Sequence, residues 1–401
     1  MTAEKRINLR LAAAFCAVVG LYDVLYVGST MAGGPPLGPL VTVLFPDFLV
    51  FHAAARAYFE GKLALVYDID LFTRFQIATY PDRLPNGALF RPFFYPPTFV
   101  LILLPFGLLA AGKAYAAFMA VTAGAATWVE GRRDPWGWLA IVTSPAAVWV
   151  VLGGQNTFLS IALLYGGLRL LDRSPAAAGV LLGLLSYKPQ IWVLVPLALL
   201  AARQWRALGW TIGTVALVSL ASLALFGLDF WLAFLDASRE AGSPRVVDRI
   251  FEEIFMLMTT LLPAARIVGL PTPVAVAVQL AGAAFAVVAV WHVFRRHGQS
   301  DARTAVLVVA MFMISPYTLN YDMLLLLPAA VALFRQGVAQ GFYPGERLIY
   351  VALWGIPTLC LNLNRAGWPI TPLIILAFGW IAWMRLKGPY KVELPGTATA
   401  G

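Results

Sequence analysis

The sequence predicts an all-α, polytopic membrane protein built as one intramembrane body. Of its 401 residues, 60% are hydrophobic and only 12% charged, with a mean hydropathy of +0.78; a soluble domain carries about 25% charged residues. Apolar stretches recur from Leu11 almost to Met384, and a span needs about 20 residues, fewer where a bundle thins. Basic residues stand in clusters at the ends of those stretches. The net charge of +9 therefore reads as topology and contact with anionic lipid, not as affinity for nucleic acid.

The elements follow in order. Lys5, Arg6 and Arg10 precede an apolar run reaching about Gly28. That is too long for a cleaved signal, so it reads as an uncleaved first span. Further basic clusters fall at 132–133, 169–173, 203–206, 295–303, 335–347 and 385–391. Short cytoplasmic loops carry such an excess of Lys and Arg. Placing every cluster inside puts both termini in the cytoplasm and predicts about twelve crossings. They are 11–30, 113–129, 136–152, 156–171, 176–187, 189–202, 207–227, 272–294, 303–315, 321–334, 346–361 and 369–386.

Parity leaves over the run 98–111, which holds Pro105 and Gly107. It is predicted to be an outer-face interfacial or re-entrant helix, with a similar half-span near 254–268. Runs 176–187 and 189–202 are short: one helix broken at Pro189, or two half-length helices meeting at Lys188. Broken helices at membrane depth are tolerated where they line a cavity. Residues 1–387 read as a single domain, with long outer loops at 31–112 and 228–271 and a disordered cytoplasmic tail at 388–401.

The polar residues collect on the predicted outer side. Ionisable groups at membrane depth are costly unless they face a cavity. Asp47 opens the stretch PDFLVFHAAARAYFEG (46–61), whose apolar spacing predicts a short amphipathic helix. Asp47 is then either its N-cap or a general base for an acceptor hydroxyl. Lys188 either snorkels to the surface or meets a phosphate as a point charge; Arg91 and the arginines of 228–271 are further cations for it. Gln155 and Asn156 follow two glycines, which is ordinary turn chemistry or amide recognition of sugar hydroxyls. Tyr317, Asn320, Tyr321 and Asp322 form a polar, aromatic patch: interfacial tyrosines and a capping Asp, or a sugar-stacking and hydroxyl-gripping set. Asp68 and Asp70 read as solvated.

Other chemistries find no support. Cys16 and Cys360 offer neither a disulfide framework nor metal spacing, and His52, His292 and His297 are scattered. There is no Walker A loop and no GxGxxG fingerprint. No internal repeat is visible, which weakens a transporter reading.

Together these segments resemble glycosyltransferase family 87, the polyprenyl-phosphate-mannose-dependent α-mannosyltransferase type with a GT-C fold. The stretches that carry the resemblance are PDFLVFHAAARAYFEG with Val66-Tyr67-Asp68, FYPPTFVLILLPFGLL (94–109), GGQNTFLS (153–160), AGVLLGLLSYKPQ (178–190) and SPYTLNYD (315–322). The resemblance implies a GT-C-like bundle whose first outer loop, with its short amphipathic helices, carries the catalytic aspartate, here Asp47. It implies a polyprenyl-phosphate-linked sugar donor and inversion at the anomeric carbon. It also implies a place near the site for Tyr95, Gln155, Asn156, Lys188, Gln190 and the 317–322 patch. Many GT-C enzymes carry a second acidic residue in the next outer loop, often with a metal. Here that loop reads Gly-Gly-Gln-Asn, so no metal and no other cofactor is expected.

The expected activity is transfer of a hexose, mannose by resemblance, to a lipid or glycan acceptor hydroxyl. The expected place is the periplasm-facing side of a bacterial inner membrane. The donor's lipid tail is expected between the helices near 176–202, with its phosphate at Lys188 and Arg91. The alternatives are a lipid-linked sugar transporter or flippase, and a GT-C-like ligase moving a larger glycan.

Overall fold

The computed structural model describes residues 46–82, 84, 91–241 and 243–388. The predicted first span (11–30) and the tail beyond 388 lie outside the described residues. Within them the chain is helical, with no strand.

The predicted first outer loop holds α1 (Pro46–Phe59), α2 (Ile69–Thr79) and α3 (Pro97–Gly107). Asp68 caps α2, accepting from the Leu71 amide at 2.9 Å, and Asp68 and Asp70 are exposed, as expected. α1 departs from the amphipathic helix predicted for it. Phe48 through Ala55 are all buried, because α3 and α4 (Ala111–Ala126) close over it. Phe51 packs edge-on to Phe99 at 5.2 Å and Phe48 lies 5.4 Å from Phe118. α3 turns by 116° against the helix that follows it, in keeping with the re-entrant or interfacial prediction for 98–111.

The predicted span 136–152 is two helices, α5 (Pro135–Val142) and α6 (Pro145–Gly153), bent by 62°. Pro145 cannot continue the ladder. Ser144 caps the new helix instead, with its Oγ accepting from the Ala147 amide at 3.2 Å. α7 (Thr157–Leu170) is buried from Thr157 to Leu168 except for the half-buried Leu159, as a helix apolar on every face should be. It packs on α8 (Pro175–Leu184). A 3₁₀ turn (Leu185–Tyr187) and Lys188 separate α8 from α9 (Pro189–Trp192) and α10 (Leu194–Ala201). The short pair predicted to meet at Lys188 is therefore present.

α11 (Trp205–Phe226) packs along α8. α12 (Leu228–Ala241), α13 (Pro244–Ile254) and α14 (Leu261–Ile267) fall in the predicted second outer loop. The half-span predicted near 254–268 is a 3₁₀ turn (Phe255–Leu257) followed by the short α14, too brief to half-cross a bilayer. α15 (Thr272–Arg296), α16 (Asp301–Ile314), α17 (Leu327–Gln340), α18 (Glu346–Arg365) and α19 (Thr371–Lys387) complete the body.

Among the described residues three helices are long and apolar enough to cross a membrane, or up to five if each bent pair is one span. Several of the predicted crossings are shorter apolar helices, 157–170, 175–187 and 189–201 among them. The loops predicted on the basic side do meet one another. Arg133 pairs with Asp301, Arg335 with Asp134, and Gln299 donates to the Leu168 carbonyl. The chain is a multi-pass helical membrane protein.

Candidate active site

A cavity of about 580 Å³ gathers residues from six segments that the charge pattern put on one side. Its polar lining includes Asp47, Arg91, Gln155, Lys188, Gln190 and Asp322. Tyr95, Tyr317, Tyr321 and Trp149 also line it.

Asp47 sits in the first turn of α1, and its Oδ2 accepts from Gln155 Nε2 at 2.7 Å. The Gly153-Gly154 turn makes that contact possible. Gly154 ends α6 in the left-handed region, at φ +71°, where a side chain is disfavoured. At Gly153 an added Cβ would stand 3.3 Å from Asp47 Oδ2. Asp47 is only half-buried by area, yet burial pushes its carboxyl above the ordinary range. The charge of Arg91 and the Gln155 hydrogen bond pull it part of the way back, while Asp322 adds to the rise. Arg91 is set by a reciprocal pair: its Nε donates to Gln76 Oε1 at 3.2 Å, and Gln76 Nε2 donates to its carbonyl at 2.9 Å.

Lys188 is 1% exposed, and its charge is answered within the protein. Its Nζ donates to Asp322 Oδ1 at 2.5 Å and to Asn156 Oδ1 at 3.2 Å. Lys188 thus does not snorkel. An ammonium has three donors, so two of them fix the group. The other oxygen of Asp322 accepts from the Leu319 amide at 3.1 Å. Both oxygens of Asp322 therefore meet protein partners, and the residue lines the cavity with lone pairs to spare.

The neighbouring residue holds the break in place. Tyr187 stacks on Phe99 at 4.8 Å, shares a hydrogen bond with Ser160 at 2.8 Å and donates to the Asn156 carbonyl at 3.2 Å. Tyr95 is anchored through its own carbonyl, which accepts from the Tyr67 hydroxyl at 2.8 Å, and packs 5.3 Å from Phe51. Asn320 is not brought to the cavity: its amide donates to the Pro357 carbonyl at 3.0 Å and it is fully buried. Asn156 lies behind the wall, holding Lys188.

Two lining residues carry a buried polar atom without a hydrogen-bond partner, Trp149 Nε1 and Gln155 Oε1. Buried polar groups are seldom left so. Among the described residues no three His, Cys, Asp or Glu side chains gather for a metal ion.

Phe234, Ala237 and Ser238 of α12, Ile250, Glu253 and Ile254 of α13, and Leu257 and Met258 beyond it form a largely apolar wall of the cavity. On its other side α8 lies flush on α11, where a Cβ at Gly179 or Gly183 would come within 2.5 Å and 2.6 Å of it. Sequence reasoning passed over Trp149, Glu253 and the roof of α12 and α13. Only the 3.6-residue apolar repeat of α13, with Glu253 beside it, hinted at their role.

The family model of glycosyltransferase family 87 matches residues 93–316, more than half of the chain. No curated protein and no solved structure matches. The match takes in Tyr95, the 153–156 turn and Lys188; α1 with Asp47 precedes it. The chain belongs to glycosyltransferase family 87 and is a membrane glycosyltransferase.

Proposed function

We propose that this protein transfers a hexose, mannose on the family likeness, from a polyprenyl-phosphate-linked donor to the hydroxyl of a lipid or glycan acceptor. Asp47 acts as general base, and the reaction inverts the anomeric carbon at the outer face of a bacterial inner membrane, with both termini in the cytoplasm. The observation that supports this reading is that Asp47 and Lys188 line one cavity, together with a largely apolar wall from α12 and α13.

In the step proposed, the acceptor oxygen attacks C1 of the donor sugar while Asp47 takes its proton. The bond from C1 to the phosphate oxygen breaks, and polyprenyl phosphate leaves with the electron pair. Negative charge grows on that phosphate, so a fixed cation there lowers the barrier more than uniform binding does. Lys188 supplies it through the donor that Asp322 and Asn156 leave over. Arg91 stands by Asp47 and tunes the base. Burial favours this division of labour, since a carboxyl raised above its ordinary range is a stronger base once ionised.

Gln155, with its unpartnered Oε1, and Gln190, Tyr95, Tyr317 and Tyr321 are the residues for sugar and acceptor. A polyhydroxyl ligand offers both donors and acceptors to the unsatisfied atoms around Trp149 and Gln155. The lipid portion belongs along the largely apolar wall, under α12 and α13.

The test is transfer of label from polyprenyl-phosphate-mannose into a lipid extract by reconstituted protein, with Asp47→Asn alongside. Product from wild type alone supports the reading. Equal product from both removes Asp47 from the mechanism, and donor-dependent flux without covalent product returns the transporter reading.

A further inference from the structure

The helix α12 has two apolar faces on opposite sides. Successive residues of an α-helix turn by about 100°. Leu228, Leu232 and Leu235 therefore share one face, and they are 61%, 48% and 44% exposed. Phe230, Phe234 and Ala237 share the opposite one. Phe230 is buried against Tyr67 at 4.7 Å, and Phe234 and Ala237 line the cavity. Between the two faces, along one flank, run the exposed Asp229, Asp236 and Glu240.

The exposed leucines do not stand alone. α11 is long and apolar enough to cross a membrane, and its Leu217, Leu220 and Leu225 are exposed apolar residues of the kind that face lipid. Leu228 follows after Gly227, whose φ of +82° turns the chain. The exposed apolar residues of the span are thus followed in the chain, one turn on, by the outward leucines of α12, with the exposed Arg239 at the far end of that face. A helix with one apolar stripe and an adjoining charged flank lies in a membrane interface, and a contiguous exposed apolar patch needs a partner.

We infer that α12 is docked in the bilayer interface, its Leu228, Leu232 and Leu235 face taking the acyl chains of the leaflet beside the cavity. Among the described residues, α12 then has lipid on its leucine face and the cavity on the face of Phe234 and Ala237. Which leaflet this is rests on the function proposed above; that the stripe meets lipid does not.

The experiment is site-directed spin labelling in nanodiscs of phosphatidylethanolamine and phosphatidylglycerol. Leu228→Cys, Leu232→Cys and Leu235→Cys are compared with Asp229→Cys and Asp236→Cys, all in a Cys16→Ser/Cys360→Ser background. The expected ratio of accessibility to oxygen over a nickel chelate is severalfold higher at the three leucine positions. Equal access of the chelate to positions 232, 235 and 236 would overturn the inference, as that face would meet water. Protection of 232 and 235 from both reagents would overturn it too, as a second protein surface would cover them. A membrane-impermeant thiol reagent applied to sealed vesicles at Asp236→Cys reports the leaflet, so a wrong topology shows itself separately. Neither measurement depends on turnover.

Discussion

Gln155 donates to Asp47 across 2.7 Å, joining residues 108 positions apart in the chain. The bond ties the start of the first described helix to the turn after α6. It sets the carboxylate's direction and lowers the cost of its charge. Its other amide atom, Oε1, stays unpartnered beside the cavity.

Asp47→Asn keeps the shape and the Gln155 contact but cannot accept the proton. Loss of turnover of about 10²- to 10⁴-fold is expected, the range for a general base. Stability should not fall. Burial raises the folded pKa above its unfolded value, so ionising this group costs stability as pH rises through that folded value. The Asn variant escapes that cost, and a melting curve at neutral pH should place it level with or above wild type.

The pH profile follows the same group. Activity needs the ionised carboxylate, so the acid limb of kcat/KM should lie above the ordinary value of 3.8. Arg91→Gln removes the largest lowering influence on Asp47, so the limb should move to higher pH. Gln155→Leu should move it the same way by less. A limb that stays put in Arg91→Gln would detach Arg91 from the base.

Lys188 and Asp322 form a buried pair, with side chains 2% and 6% exposed. Breaking such a pair leaves an uncompensated charge and costs about 3–5 kcal/mol. Lys188→Gln and Asp322→Asn should each lower the melting temperature. The double variant should recover much of the loss, because no charge is then stranded, while transfer stays low without the cation. Recovery of activity together with stability would make the pair structural alone.

Gly153→Ala tests the close approach at the turn. Its added methyl would crowd Asp47 Oδ2, and a misplaced catalytic group costs up to about 10²-fold in rate. The expected result is a fall in kcat of about tenfold or more with little change in melting temperature. Gly154→Ala should instead lower stability, by roughly 1 kcal/mol for a side chain in the left-handed region.

The sequence by itself determined the helical membrane class, the grouping of loops by charge, the break at Lys188 and the family. Each is written locally, in hydropathy, in basic clusters or in a short motif such as SYKPQ. Tertiary structure decided the rest. No local pattern says that Lys188 faces Asp322, since opposite charges 134 residues apart meet only when the helices pack. Nor does it say that α1 is buried all round rather than along one stripe, or that Asn320 turns to Pro357 instead of the cavity. The largely apolar wall of the cavity was equally hidden. It comes from α12 and α13, whose leucines and phenylalanines read alike in sequence; only the packed chain settles which face meets the cavity and which is left exposed.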